Sequence, residues 1–153
     1  MRHLHLGKLL LVVFSLLLAC TVSARKPIKT LLITGQNNHN WQVSHVVLKQ
    51  ILENSGRFDV DFAVSPGQGK DMSGFVLDFT PYQLVVLDYN GDSWPEETNR
   101  RFLEFVQNGG GVVIYHAADN AFSKWPEFNK ICALGGWEGR NENSGPYVYW
   151  QDG

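Results

Sequence analysis

Cysteine is scarce: the chain of 153 residues holds two, Cys20 and Cys132. The first lies in a leader segment, so a domain built from the remainder has no internal disulfide and depends on its core. Neither sign of charge dominates. The formal net charge is −2, without a long basic or acidic run, which argues against the clustered Lys/Arg footprint of a nucleic-acid binder. The apolar run from Leu9 to Ala19 falls short of the roughly 20 residues of a spanning helix. No HxxxH or HExxH spacing occurs, so the usual zinc signatures are missing.

What is present begins with that leader. Residues 1–24, "MRHLHLGKLLLVVFSLLLACTVSA", carry Arg2 and Lys8, then the apolar run, then Val22-Ser23-Ala24 at a signal-peptidase site. The expectation is an exported protein, periplasmic or extracellular, with one domain over residues 25–153. The alternative is a lipobox, Leu17 to Cys20, in which Cys20 is acylated and supplies a membrane anchor. Cleavage after Ala24 removes two of the 13 basic side chains and none of the 15 acidic ones, moving the net charge from −2 to −4. Hydrophobic residues at 44% against 18% charged suit a packed core and not a disordered tail.

Buried strands alternate with amphipathic helices along the rest. "KTLLITGQ" (29–36) is a short apolar run ending at glycine. "QVSHVVLKQILENSG" (42–56) has Val43, Val46, Val47, Ile51 and Leu52 at helical spacing, with Gly56 at the C-terminal stop. "FDVDFAV" (58–64) alternates as a strand, and residues 65–74 read as a loop. "YQLVVLDYNG" (82–91) predicts a third strand. Ser93 and Glu96 stand at capping-box spacing with Pro95 in the first turn, and Phe102, Phe105 and Val106 form the inward stripe of the helix that follows. "GVVIY" (111–115) predicts a fourth strand. A short helix entered through Pro126 follows, with Phe128, Ile131 and Cys132 on one face. The strand-like "YVYW" (147–150) comes last, and the chain reads as a domain cut short at its C-terminus. This order implies an α/β fold with a mainly parallel sheet.

In such a sheet ligands bind beyond the carboxyl ends of the strands. That rule selects Gln36, Asn37, Asn38, His39, Asn40 and Trp41 after the first strand, and Asp88, Tyr89, Asn90 and Gly91 after the third. After the fourth it selects Tyr115, His116 and Asp119. Amides, imidazoles and aromatic rings together suit a polyhydroxylated ligand. Each has a plainer reading. His116 is a helix cap or a partner of a backbone carbonyl, Asn37, Asn38 and Asn40 shape a loop, His45 is a boundary residue of the first helix, and Trp125 and Trp137 are packing residues. No cofactor is expected. A divalent metal held by His39, His116 and Asp88 or Asp119 is the weaker alternative.

Together "LLITGQNNHNW" (31–41), "LVVLDYNGDSWPEE" (84–97), "FVQNGGGVVIYHAADNAF" (105–122), "WPEF" (125–128) and "GRNENSGP" (139–146) resemble the ThuA-like (trehalose-utilisation) family of the class I glutamine amidotransferase-like fold. The resemblance covers nearly all of residues 29–153. It implies a flavodoxin-like three-layer α/β sandwich, incomplete at the C-terminus, and a carbohydrate substrate. In true amidotransferases the strand tip equivalent to residues 112–115 delivers a nucleophilic cysteine. Here that position holds His116, so a glutaminase reaction through a thioester is not expected.

The functional expectation is an exported carbohydrate-processing protein acting on a disaccharide or an oxidised sugar derivative. His116 would serve as acid/base, and His39, Asn40, Trp41, Asp88, Tyr89, Asn90 and Asp119 would contact the substrate. The alternatives are a non-catalytic sugar-binding module and an inactive fragment. The partner is a small carbohydrate and not nucleic acid, a membrane only through Cys20; the oligomeric state stays open.

Overall fold

Apolar residues at successive positions must bury both faces of a strand, and Leu31, Leu32 and Ile33 do so at the centre of the sheet. The computed structural model describes residues 25–133 and Gln151. The leader with Cys20, Trp137, the motif at 139–146 and the expected strand at 147–150 lie outside these. The elements are β1 (Ile28–Thr34), α1 (Trp41–Asn54), β2 (Phe58–Val64), β3 (Leu84–Leu87), α2 (Glu96–Gln107), β4 (Gly111–Ile114), a 3₁₀ turn (His116–Asn120) and α3 (Pro126–Cys132).

The four strands form an all-parallel sheet in the order β2-β1-β3-β4. Leu32 sits between Phe62 of β2 and Val86 of β3. α1 packs on one face through Leu48 and Leu52, above Leu32, Val60 and Val86. α2 and α3 cover the other, where Phe102 and Phe128 join Leu31, Ile33, Val85 and Leu87. The fold is a flavodoxin-like α/β sandwich. The connection from β2 to β3 has no helix, yet it is ordered because Phe75 and Phe79 are drawn into the core and Thr98 Oγ1 donates to the Phe75 carbonyl at 2.7 Å.

Three local expectations change. Four of the five apolar residues expected to form the stripe of α1 face outward: Val43 is 55% and Ile51 62% exposed, with Val46 and Val47 also exposed. The fifth, Leu52, lies on the opposite side of the helix and packs on the sheet together with Leu48. Lys49 ties that side down, bonding Glu53 at 2.6 Å and the Val60 carbonyl. The capping box does not form. Pro95 is extended (φ −56°, ψ 146°) and the helix begins at Glu96, without a side-chain cap, because Trp94 is pulled into the core. β3 is shorter than expected, ending at Leu87, although the Asp88 amide still donates to the Ile33 carbonyl at 2.9 Å. Gly56 does stop α1, at φ +69°.

Candidate functional site at the strand tips

The crossover from β1 to β2 runs over one face of the sheet and that from β3 to β4 over the other. The chain therefore parts between the tips of β1 and β3, which is where a parallel sheet opens a crevice. Both loops that flank this crevice are locked. Gln36 is buried; its Oε1 accepts from the Asp92 amide at 2.7 Å and its Nε2 donates to the Pro66 carbonyl at 2.7 Å. The Asn90 amide donates to the Gln36 carbonyl at 2.9 Å. Gly91 makes this approach possible: a Cβ there would lie 2.2 Å from Gln36 Oε1.

His116 leaves β4 with φ +48°, a left-handed conformation that non-glycine residues adopt at a cost and that clusters at functional positions. Its ring lies 4.5 Å from that of His39, tilted by 40°. His39 is held from the other strand tip, its amide bonded to Asn37 Oδ1 at 3.0 Å. Beneath the pair, Asp88 is 1% exposed. Asn37 Nδ2 donates to its Oδ1 at 3.0 Å and Ser44 Oγ to its Oδ2 at 2.5 Å. Burial raises the Asp88 pKa above the usual carboxylate value, with the Ser44 bond, His45, the Asn37 bond and His39 acting in the opposite direction. Asn37, His39, Ser44, Asp88 and His116, with Asn40, Val43, Val47 and Tyr115, line a cleft of about 340 Å³.

Four of the expected site residues thus meet in one cleft: His39, Asn40, Asp88 and His116. Asn40 stands before α1 without a side-chain cap bond, and its carbonyl accepts from the Val43 and Ser44 amides. Trp41 and Asn90 line a neighbouring cleft of about 620 Å³ together with Asn37, Asn38 and Asp92. Asn90 Nδ2 donates to Asn38 Oδ1 at 3.2 Å across the two loops. Tyr89 stands apart. It is 1% exposed, packs on Trp94 and Phe122 and donates its hydroxyl to the Asp92 carbonyl at 2.6 Å. Side chains alternate along an extended segment, so Asp88 toward α1 puts Tyr89 toward α2. Asp119 is also outside the cleft; together with burial, its charge pushes the Cys132 thiol up to about 11.

Ser44, Val43 and Val47 line the cleft without having been expected there. Ser44 lies one residue before His45, inside a helix, and its partner Asp88 is 44 residues away, so no local signal marks it. His45 is the boundary residue expected, half-buried against Phe62 with its Nδ1 2.5 Å from the Trp41 carbonyl. Among the described residues no group of three His, Cys, Asp or Glu side chains is spaced to hold a metal ion. No helix among them is long and apolar enough to cross a membrane.

No family model and no curated protein matches the chain. A crystal structure of a Parabacteroides merdae ATCC 43184 protein described as ThuA-like shares 94% sequence identity with it, at a TM-score of 0.76. Over the matched part the chain is similar to a ThuA-like protein. The match covers 84% of the chain and 46% of that protein, so the chain spans about half the length of its relative. In this chain the tip of β4 carries an imidazole, and Cys132 is half-buried at the end of α3 with its thiol held protonated.

Proposed function

We propose that this protein is exported and processes a carbohydrate, a disaccharide or an oxidised sugar derivative, by proton transfer at the strand tips and without glutaminase chemistry. The observation that carries the reading is His116. A strained backbone turn holds its ring 4.5 Å from His39, over a cleft with a buried carboxylate. An imidazole pair can pass a proton between substrate atoms near neutral pH: one neutral ring accepts from a hydroxyl while the other, protonated, donates to an oxygen. Asn37 and Asn40 offer amides to sugar hydroxyls, and the exposed Tyr115 ring offers an apolar surface.

His116→Gly tests this cleanly, because glycine accepts φ +48° without strain. The variant should fold as well as the parent, bind sugar, and lose turnover by about 10²–10⁴-fold. Undiminished turnover would sink the assignment. A second reading, sugar binding without chemistry, is favoured by Asp88, both of whose oxygens are already engaged. If the parent turns over no member of a panel of disaccharides and keto-sugars, yet binds one, that reading stands.

A further inference from the structure

A second polar cleft opens on the α2 side of the β3 tip. Its volume is about 480 Å³, within the range of small-molecule sites. Asn90, Gly91 and Ser93 from the β3–α2 loop and Asn99 from α2 form one wall; Asn120, Phe122, Ser123, Lys124 and Trp125 form the other. The lining is amide, hydroxyl, ammonium and two aromatic rings, a donor-and-acceptor set with an apolar face. Among the described residues no hydrogen bond or ion pair ties the side chains of Ser93, Asn99 or Lys124. The Asn99 side-chain oxygen, Oδ1, is buried without a partner among them, a state the fold does not reward. Trp125 is braced from behind, stacked on Phe128 at 5.7 Å and 23° and met edge-on by Phe122.

Shared lining residues link this cleft, through the neighbouring one, to that of His39 and His116. Asn90 and Gly91 also line the neighbouring cleft that contains Asn37, and Asn37 in turn lines the cleft of His39, Asp88 and His116. We propose that it is a second sugar subsite, taking a neutral hexopyranose unit of an oligosaccharide whose first unit sits at His116. Trp125 would stack on the ring face, with Ser93, Asn99 and Lys124 on its hydroxyls. The neighbour at His116 rests on the function proposed above; the chemistry of the second cleft does not.

The experiment uses the full chain with glucose, maltotriose and cellotriose, reading affinity by calorimetry and the Trp125 indole and His116 imidazole signals by NMR. Either trisaccharide should bind about tenfold or more tightly than glucose and move both signals, while glucose moves His116 alone. Ser93→Trp, which fills the cleft from an exposed position, should reduce trisaccharide affinity to that of glucose. Trisaccharides that move His116 but not Trp125, or a preference that survives Ser93→Trp, would overturn the subsite and leave the function standing. Movement of Trp125 alone would keep the subsite and overturn the placement at His116. No movement of either signal overturns both.

Discussion

On the α2 side of the sheet, Phe79, Trp94, Phe102, Phe122, Trp125 and Phe128 meet ring on ring. On the α1 side the buried apolar residues are Leu32, Val60 and Val86, and α1 buries none of its own side chains. Both faces belong to one sheet with the same strand register, so the difference lies in what covers them. The aromatic side excludes water and makes a rigid base for the β3 and β4 tips. The α1 side is thin, and there the helix leaves room beside β4 for the cleft under His39 and His116. Rigid support on one face and an open wall on the other is an arrangement suited to a site that must admit a ligand.

The largest effect expected from this contrast is at Phe102, fully buried among four rings and the core of the sheet. Phe102→Ala should cost about 3–5 kcal/mol, read as a fall in the denaturation midpoint; a loss no greater than on the α1 side would erase the comparison. Leu52→Ala, at a half-buried position under α1, should cost about 1–2 kcal/mol, below the range for a fully enclosed leucine. An equal loss at both sites would mean that the two faces are packed alike.

Asp88 sharpens the contrast by pH. Its carboxyl is raised above the ordinary 3.8 by burial, so its share of stability is complete below that value and is lost as pH rises through the folded-state value. Asp88→Asn should therefore gain on the parent as the solution moves from acid to neutral. Glu97 on α2 has the opposite sign: Arg100 and Arg101 hold it at about 2, against an ordinary 4.5, so its contribution fades as pH falls through that window. A stability difference between Asp88→Asn and the parent that is flat with pH would contradict the burial of Asp88.

The smallest change belongs to the outer stripe of α1. Ile51→Lys, at the most exposed of these apolar positions, should shift stability by no more than about 0.5 kcal/mol. A loss like that at Leu52 would show that something covers this face in solution.

Much of this was legible in order along the chain. Apolar runs stopped by glycine, Phe102 on an inward stripe, and Pro126 opening a short helix are local patterns, and each strand and helix followed from them. The gathering of His39, Asp88 and His116 at one edge was legible too, because parallel strands with helical crossovers bring every carboxyl end to the same side. Local pattern did not decide between the two apolar stripes of α1. Val43, Val46, Val47 and Ile51 outnumber Leu48 and Leu52, yet the sheet took the leucines, with Lys49 anchored to β2 and Ser44 set against Asp88.

The sequence by itself determined the elements, their order and the kinds of side chain carried to the strand tips, since these depend on residues a few positions apart. Only the tertiary structure decided that Tyr89 is core while Asp88 faces the cleft, that Ser44 joins it, and that His39 and His116 stand ring to ring. Those outcomes depend on contacts between residues far apart in the chain, made when burial of one face settles how every neighbouring segment must turn.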